Sequence, residues 1–340
     1  MEEFPKFEEY VLKNKNGMQV RCTNYGAIIT GIEIPTPNGK IVNVVLGFDS
    51  PLDYYRSNIP YFGCMAGRYA GKIANGTFEI DNKKYHLRKN ERGINHMHGG
   101  LKGFDKVFWN KSSKSDLSKG CLVLEYESKD SEEGYPGKLN IETHYILNDE
   151  NEFFINSFAT TDKTTIINIT NHSYFNLNGD SSGDILDHTL FINAKELMAF
   201  SPEGNPTNKF SNIEGTPFDF RNPKSIREFV ESKDEKIVKV GGLFNLFIFD
   251  KNGKVNASLQ GNKTGIKMEI ETNQAAMFVY TSNFLDALGR KGFAYKKHAG
   301  ICLETENVPG FINSEDQSKI QLAPNETFKH LNKFKFTFSK

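Results

Sequence analysis

Leu139-Asn-Ile-Glu-Thr-His-Tyr-Ile146, followed shortly by Glu152-Phe-Phe-Ile-Asn-Ser-Phe158, alternates apolar and polar side chains through most of its length. A period of two is the signature of a half-buried β-strand, because successive side chains point to opposite faces. Working outward, Leu122-Val-Leu-Glu-Tyr-Glu127 and Ile266-Lys-Met-Glu-Ile-Glu-Thr272 repeat the pattern. Turn pairs separate many of these runs, at Asn38-Gly39, Asn75-Gly76, Asp81-Asn82 and Asn252-Gly253, which predicts hairpin after hairpin. Helical signals are few. The clearest is Asn222-Pro-Lys-Ser-Ile-Arg-Glu-Phe-Val-Glu-Ser232, with Asn222 as cap and Pro223 in the first turn. Many short strands with scarcely a helix predict an all-β protein, a large antiparallel β-sandwich or barrel. No linker, charge block or 20–50-residue repeat interrupts the chain, so a single domain is expected over residues 1–340.

Composition narrows the function. The 340 residues are ample for a sizeable core, and 38% are hydrophobic. Lys plus Arg and Asp plus Glu both total 42, a balance that argues against a nucleic-acid partner held by phosphate neutralisation. The first seventeen residues, MEEFPKFEEYVLKNKNG, lack the basic and apolar regions of a signal peptide, and no apolar run approaches a membrane span. A cytoplasmic protein without membrane association is expected, as a monomer or a homodimer. Cys22, Cys64, Cys121 and Cys302 are far apart with no C-x-x-C pair, which predicts free buried thiols and no zinc site.

Of eight histidines, two lie in settings that suit chemistry. His98 sits in the Gly-rich turn Asn95-His-Met-His-Gly-Gly100, where a backbone can approach a ligand closely. His172 ends a strand in Thr170-Asn-His-Ser-Tyr-Phe-Asn176. The bland alternative for each is a side chain satisfied within its own polar network. His96 and His98 would face the same way on a strand, but no further His or Cys cluster completes a metal set, so no metal is expected. The carboxylate that stands out is Glu304, in Gly300-Ile-Cys-Leu-Glu-Thr-Glu306. Period two places Cys302, Glu304 and Glu306 on one face. Either that face is solvated, or Glu304 lines a site, since an unpaired buried charge is costly. An acid and a base of different pKa flanking a hemiacetal would serve ring opening.

Seven blocks in sequence then assemble into a family. They are Thr23-Asn-Tyr-Gly-Ala27, Val45-Leu-Gly-Phe-Asp-Ser50, Tyr61-Phe-Gly-Cys-Met-Ala-Gly-Arg68, His98-Gly-Gly-Leu-Lys-Gly-Phe-Asp105, Thr170-Asn-His-Ser-Tyr-Phe-Asn-Leu177, Gly215-Thr-Pro-Phe-Asp-Phe220 and His298-Ala-Gly-Ile-Cys-Leu-Glu-Thr305. In these the chain resembles the aldose 1-epimerases, or galactose mutarotases, nearly end to end. The resemblance implies the family's β-supersandwich and an isomerase that interconverts sugar anomers without metal or nucleotide. It assigns Glu304 as general base, His172 as general acid, and His98 as the second histidine that holds and polarises the sugar.

The departures from the family pattern fall among substrate contacts. Where the family has A-N-R-I, this chain has Ala70-Gly-Lys-Ile73, so Gly71 replaces an Asn and Lys72 an Arg. A sugar-binding Asp falls on Leu243, or on Phe244 in a frame shifted by one. A binding Gln falls on Phe278, and the P-D-A turn becomes Pro309-Gly-Phe311. The resemblance therefore implies an anomer isomerase first. An isomerase acting on a less hydroxylated, non-sugar hemiacetal is the alternative, and a carbohydrate-binding protein without turnover a weaker one.

Overall fold

The computed structural model describes residues 6–250 and 252–338. Residues 1–5, which carry part of the N-terminal reading above, lie outside them. The period-two runs form strands where the alternation placed them: Leu139–Leu147 and Glu152–Thr161 pair antiparallel, with Thr143 opposite Ser157. They belong to a nine-stranded antiparallel sheet. A six-stranded sheet runs in the order Tyr174–Phe175, Ile301–Glu306, Ala276–Tyr280, Phe244–Phe249, Ala194–Phe200, Pro206–Asn212. Both sheets send side chains into one core. Leu122, Ile141, Phe153 and Ile270 come from the larger, and Phe247, Met277, Val279 and Leu303 from the smaller. The fold is a large antiparallel β-sandwich, as the strand pattern predicts.

Three local expectations change. Asn38-Gly39 and Asp81-Asn82 do turn hairpins, between Ile29–Pro35 and Ile41–Asn43 and between Thr77–Ile80 and Lys83–His86. Asn75-Gly76 instead joins Lys72–Ile73 to Thr77–Ile80, which pair with other strands. Asn252-Gly253 lies between a strand of the six-stranded sheet and one of the nine-stranded sheet. The expected helix also starts later, at Ile226–Val230, capped by Ser225, whose hydroxyl accepts from the Glu228 N–H at 3.1 Å. Lys224 and Ser225 are held in a ladder with Thr189 and Leu190, so Asn222-Pro223 cannot begin the helix. Short helices at Pro51–Arg56 and Glu235–Val240 carried too little amphipathic length to be read. Among the described residues no helix is long and apolar enough to cross a membrane.

Candidate active site

The six-stranded sheet has two faces, and alternation decides what each carries. In Ile301–Glu306, Ile301 and Leu303 enter the shared core. Glu304 and Glu306 face the other way and line a cavity of about 640 Å³, although every residue of the strand is buried. The register continues this floor across the sheet. Glu304 lies opposite Phe278, and Phe278 opposite Leu246; in the adjacent row Cys302 lies opposite Tyr280, and Tyr280 opposite Phe244. Of the two alternatives for Glu304, the lined site is therefore the one the fold adopts.

His172 reaches the same cavity from the end of a short strand, Thr170–Asn171, paired with Met65–Ala66. Its backbone is clamped on both sides: its N–H donates to the Cys64 carbonyl at 2.9 Å, and its own carbonyl accepts from the Gly63 N–H at 3.0 Å. The ring is stacked between Tyr61 and Tyr174, at centroid distances of 5.7 and 5.2 Å. Its Nε2 lies 3.6 Å from Glu304 Oε1, and its Nδ1 lies 3.6 Å from Cys302 Sγ.

Burial governs the charges here. It pushes the His172 imidazolium down to about 4 and the Glu304 carboxyl well above the usual range, with the neighbouring Glu306 as a second cause for Glu304. Both shifts favour a neutral imidazole facing a protonated carboxyl. Moving that one proton across the 3.6 Å gap produces imidazolium and carboxylate without changing the charge of the pair. Glu306 is pushed up to about 8 by burial, partly offset by a hydrogen bond of 2.8 Å from Asn168 Nδ2. Asn168 is itself held, donating to the Ala70 carbonyl and accepting from the Asn307 N–H.

His98 completes the polar end of the cavity. Its N–H donates to the Gly71 carbonyl at 3.1 Å, and its Nδ1 accepts from the Gly71 N–H at 3.3 Å. Burial holds its pKa well below the usual value, so the ring is neutral and the proton sits on Nε2. His98 adopts φ of +49°, a left-handed conformation. The glycines after it make their close approach to protein, not to the cavity: a Cβ on Gly99 would lie 1.6 Å from the Gly67 carbonyl oxygen. His96 faces elsewhere, with Nδ1 on the Arg88 carbonyl at 2.6 Å and Nε2 on the Tyr135 hydroxyl at 2.5 Å. It is a satisfied structural histidine and forms no metal pair with His98.

The substrate-contact positions divide. Gly71, Lys72 and Phe278 all line the cavity. Lys72 is paired with Glu91 at 3.3 Å. Gly71 has φ of +82°, and a Cβ there would come 3.0 Å from Pro309 Cγ. The Leu243 assignment is corrected: its side chain is fully buried in the main core, and Phe244 faces the cavity instead. Alternation along this strand allows only one of the two neighbours to reach the site. Gly310, in the altered turn, has no room for a side chain, since its Cβ would meet the Thr207 carbonyl oxygen at 2.0 Å.

Some neighbours of the site carry little signal in the sequence. Tyr174 is two residues from His172, and that spacing on one face is its readable signal. Asn168 reads only as part of an Asn-Ile-Thr sequon, and its bond to Glu306 spans 138 residues. His172, Cys302 and Glu304 each bring a potential ligand atom within 4.8 Å of the others. Burial pushes the Cys302 thiol well above its usual value, which opposes the thiolate a metal needs.

A buried imidazole beside a buried carboxyl, on a β-sheet floor and open to a ligand-sized cavity, is an arrangement that can give and take protons on one bound small molecule. The sequence pattern of aldose 1-epimerases matches residues 8–335. A galactose mutarotase of Rattus norvegicus is 38% identical over 334 residues, covering 97% of this chain and 94% of that protein. An aldose 1-epimerase of Escherichia coli K12 is 32% identical, covering 96% and 94%. A solved GalM/aldose epimerase homologue from C. elegans superposes with a TM-score of 0.91 at 26% identity, covering 98% of this chain and all of that one. The chain belongs to the aldose 1-epimerase family, and it is an isomerase that interconverts sugar anomers. These relatives favour neither the non-sugar reading nor the non-catalytic binder.

Proposed function

We propose that this enzyme mutarotates a free aldohexose such as galactose, with Glu304 as base, His172 as acid and His98 as the group that holds the sugar. The observation that carries the reading is the 3.6 Å separation of Glu304 Oε1 and His172 Nε2. The hydroxyl to be deprotonated and the ring oxygen to be protonated are bonded to the same carbon, so the two groups serving them must be neighbours. The pair works from its imidazolium–carboxylate form. Glu304 takes the proton of the anomeric hydroxyl and His172 gives one to the ring oxygen, so the C1–O5 bond breaks as the C1=O1 bond forms. The open aldehyde leaves a protonated Glu304 and a neutral His172, the distribution burial favours. After rotation about the C1–C2 bond, both protons return and the ring closes on the other face. His98 Nε2–H donates to a sugar oxygen, and Lys72 adds a point charge at the polar end. Galactose is named in the matching rat enzyme, which supports that substrate class.

A cytoplasmic setting and a single domain over 1–340 belong to the same reading. Four unpaired cysteines support the first, and a cavity lined from Phe48 to Pro309 supports the second. The test is polarimetry on freshly dissolved α-galactose. Rotation should relax to equilibrium faster in proportion to added protein. No acceleration with galactose, glucose or any other common aldohexose would refute the reading.

A further inference from the structure

Beyond the acid–base pair the cavity changes character. Crossing the sheet from Glu304, one strand spacing of about 4.8 Å reaches Phe278, and a second reaches Leu246. Met198 and Phe200 continue the surface, while Phe244 and Phe284 wall it toward the opening. Five of these six side chains are pure hydrocarbon, and the sixth, Met198, offers only a weakly accepting thioether sulfur. The aromatic groups support one another: Phe244 meets Phe278 edge-on at 4.9 Å and Tyr280 at 5.6 Å, and Phe284 lies 6.2 Å from Phe244. The Tyr280 hydroxyl, the polar atom among them, already accepts from the Phe284 N–H at 3.1 Å. At the mouth, Phe284, Leu288 and Ile59 are 70%, 70% and 82% exposed. Apolar side chains gathered at a cavity mouth mark a ligand site. The volume of about 640 Å³ also lies in the range of drug-sized ligands.

From this geometry we infer that the preferred substrate is a pyranose with an apolar group on the edge remote from its anomeric carbon, at C4 or C6, seated against Phe278, Phe244 and Phe284. The inference rests on the mutarotase reading, which puts the anomeric carbon at Glu304 and His172. A ring bound there reaches across Phe278, so its far edge meets the apolar wing. A hydroxyl seated against Phe278, Phe244 and Phe284 would lose water and find no partner in their rings. An acyl chain there would bury methylenes at about a fourfold gain each.

The test compares kcat/KM for galactose, 4-O-butanoylgalactose and 6-O-butanoylgalactose, followed by anomer exchange in NMR. At least one ester should exceed galactose by tenfold or more, and Phe244→Ser and Phe284→Ser should each bring that ratio down toward one. Esters no better than galactose in the wild type would overturn the inference while leaving the mutarotase reading in place. If no sugar is turned over, the mutarotase reading fails, and calorimetric binding of the same three sugars to the wild type decides the wing separately. Tighter binding of an ester supports it, and equal or weaker binding of both overturns it.

Discussion

Replacing Glu306 by Gln should stabilise this protein, and increasingly so as the pH rises. Glu306 is 3% exposed, and burial raises its pKa from 4.5 to about 8 in the folded state. For a group whose folded pKa is raised, the stabilisation is fully present below the unfolded value and is lost as pH rises through the folded one. Between pH 4.5 and 8 the folded state therefore holds a proton that the unfolded state has released, and stability falls with pH. At 1.36 kcal/mol per pH unit the loss is roughly 5 kcal/mol by pH 9. Gln cannot ionise, and its carbonyl can still accept from Asn168 Nδ2. With an unfolding entropy of about 2.1 cal/mol/K per residue, a chain of 340 residues has ~0.7 kcal/mol/K, so the variant should melt about 7 °C above wild type at pH 9. At pH 4.5 the two should melt together. A second readout follows from Glu304, whose pKa the Glu306 charge helps raise. Without that anion the catalytic pair releases its proton more readily, so the alkaline limb of kcat/KM should move to lower pH. A melting difference that does not grow with pH would show that Glu306 is not a buried carboxyl titrating in this range, and would refute the reasoning.

Other substitutions separate roles that lie close together. His172→Asn should lower turnover by about 10²–10⁴-fold, the usual contribution of a general acid; a loss of affinity alone, with turnover kept, would move the acid role to His98. Asn168→Ala removes the hydrogen bond to Glu306 together with those to Ala70 and Asn307, so it should destabilise at every pH, and by roughly 1 kcal/mol more at pH 9, where Glu306 is charged, than at pH 5, read by thermal melts. Leu243→Ala should cost ~2–5 kcal/mol of stability as a core truncation and leave KM unchanged, whereas Phe244→Ala should change KM with little effect on stability. The reverse result would restore Leu243 to the site.

What the sequence made legible was whatever depends on near neighbours. The alternation in Leu139–Leu147 and Glu152–Thr161 identifies half-buried strands because each face of a sheet meets one environment. The same rule placed Glu304 and Glu306 on one side of their strand, and the structure adds that this side is a cavity floor. Leu243 and Phe244 show the limit. Both are apolar, so hydrophobicity could not tell the core-facing residue from the site-facing one, and only the register against Tyr280 decides it. The helix boundary failed for a related reason: a ladder with Thr189 and Leu190 holds Lys224 and Ser225, and no local signal reports a partner so far away. The turn at Gly99 suggests an approach to ligand because a glycine's freedom is visible in sequence while what it approaches is not; here it is the Gly67 carbonyl.

The central claim is that Glu304 exchanges protons with the anomeric hydroxyl. It is tested most directly by the exchange rate between α- and β-anomers of [1-¹³C]galactose, measured by magnetisation-transfer NMR with wild type and with Glu304→Gln at equal concentration. Gln keeps the shape of the side chain but cannot take the proton. Clear enzyme-catalysed exchange is expected in the wild type, and a rate indistinguishable from buffer for a folded Glu304→Gln. Exchange near the wild-type rate in the variant would contradict the claim and turn attention to Glu306 as the base.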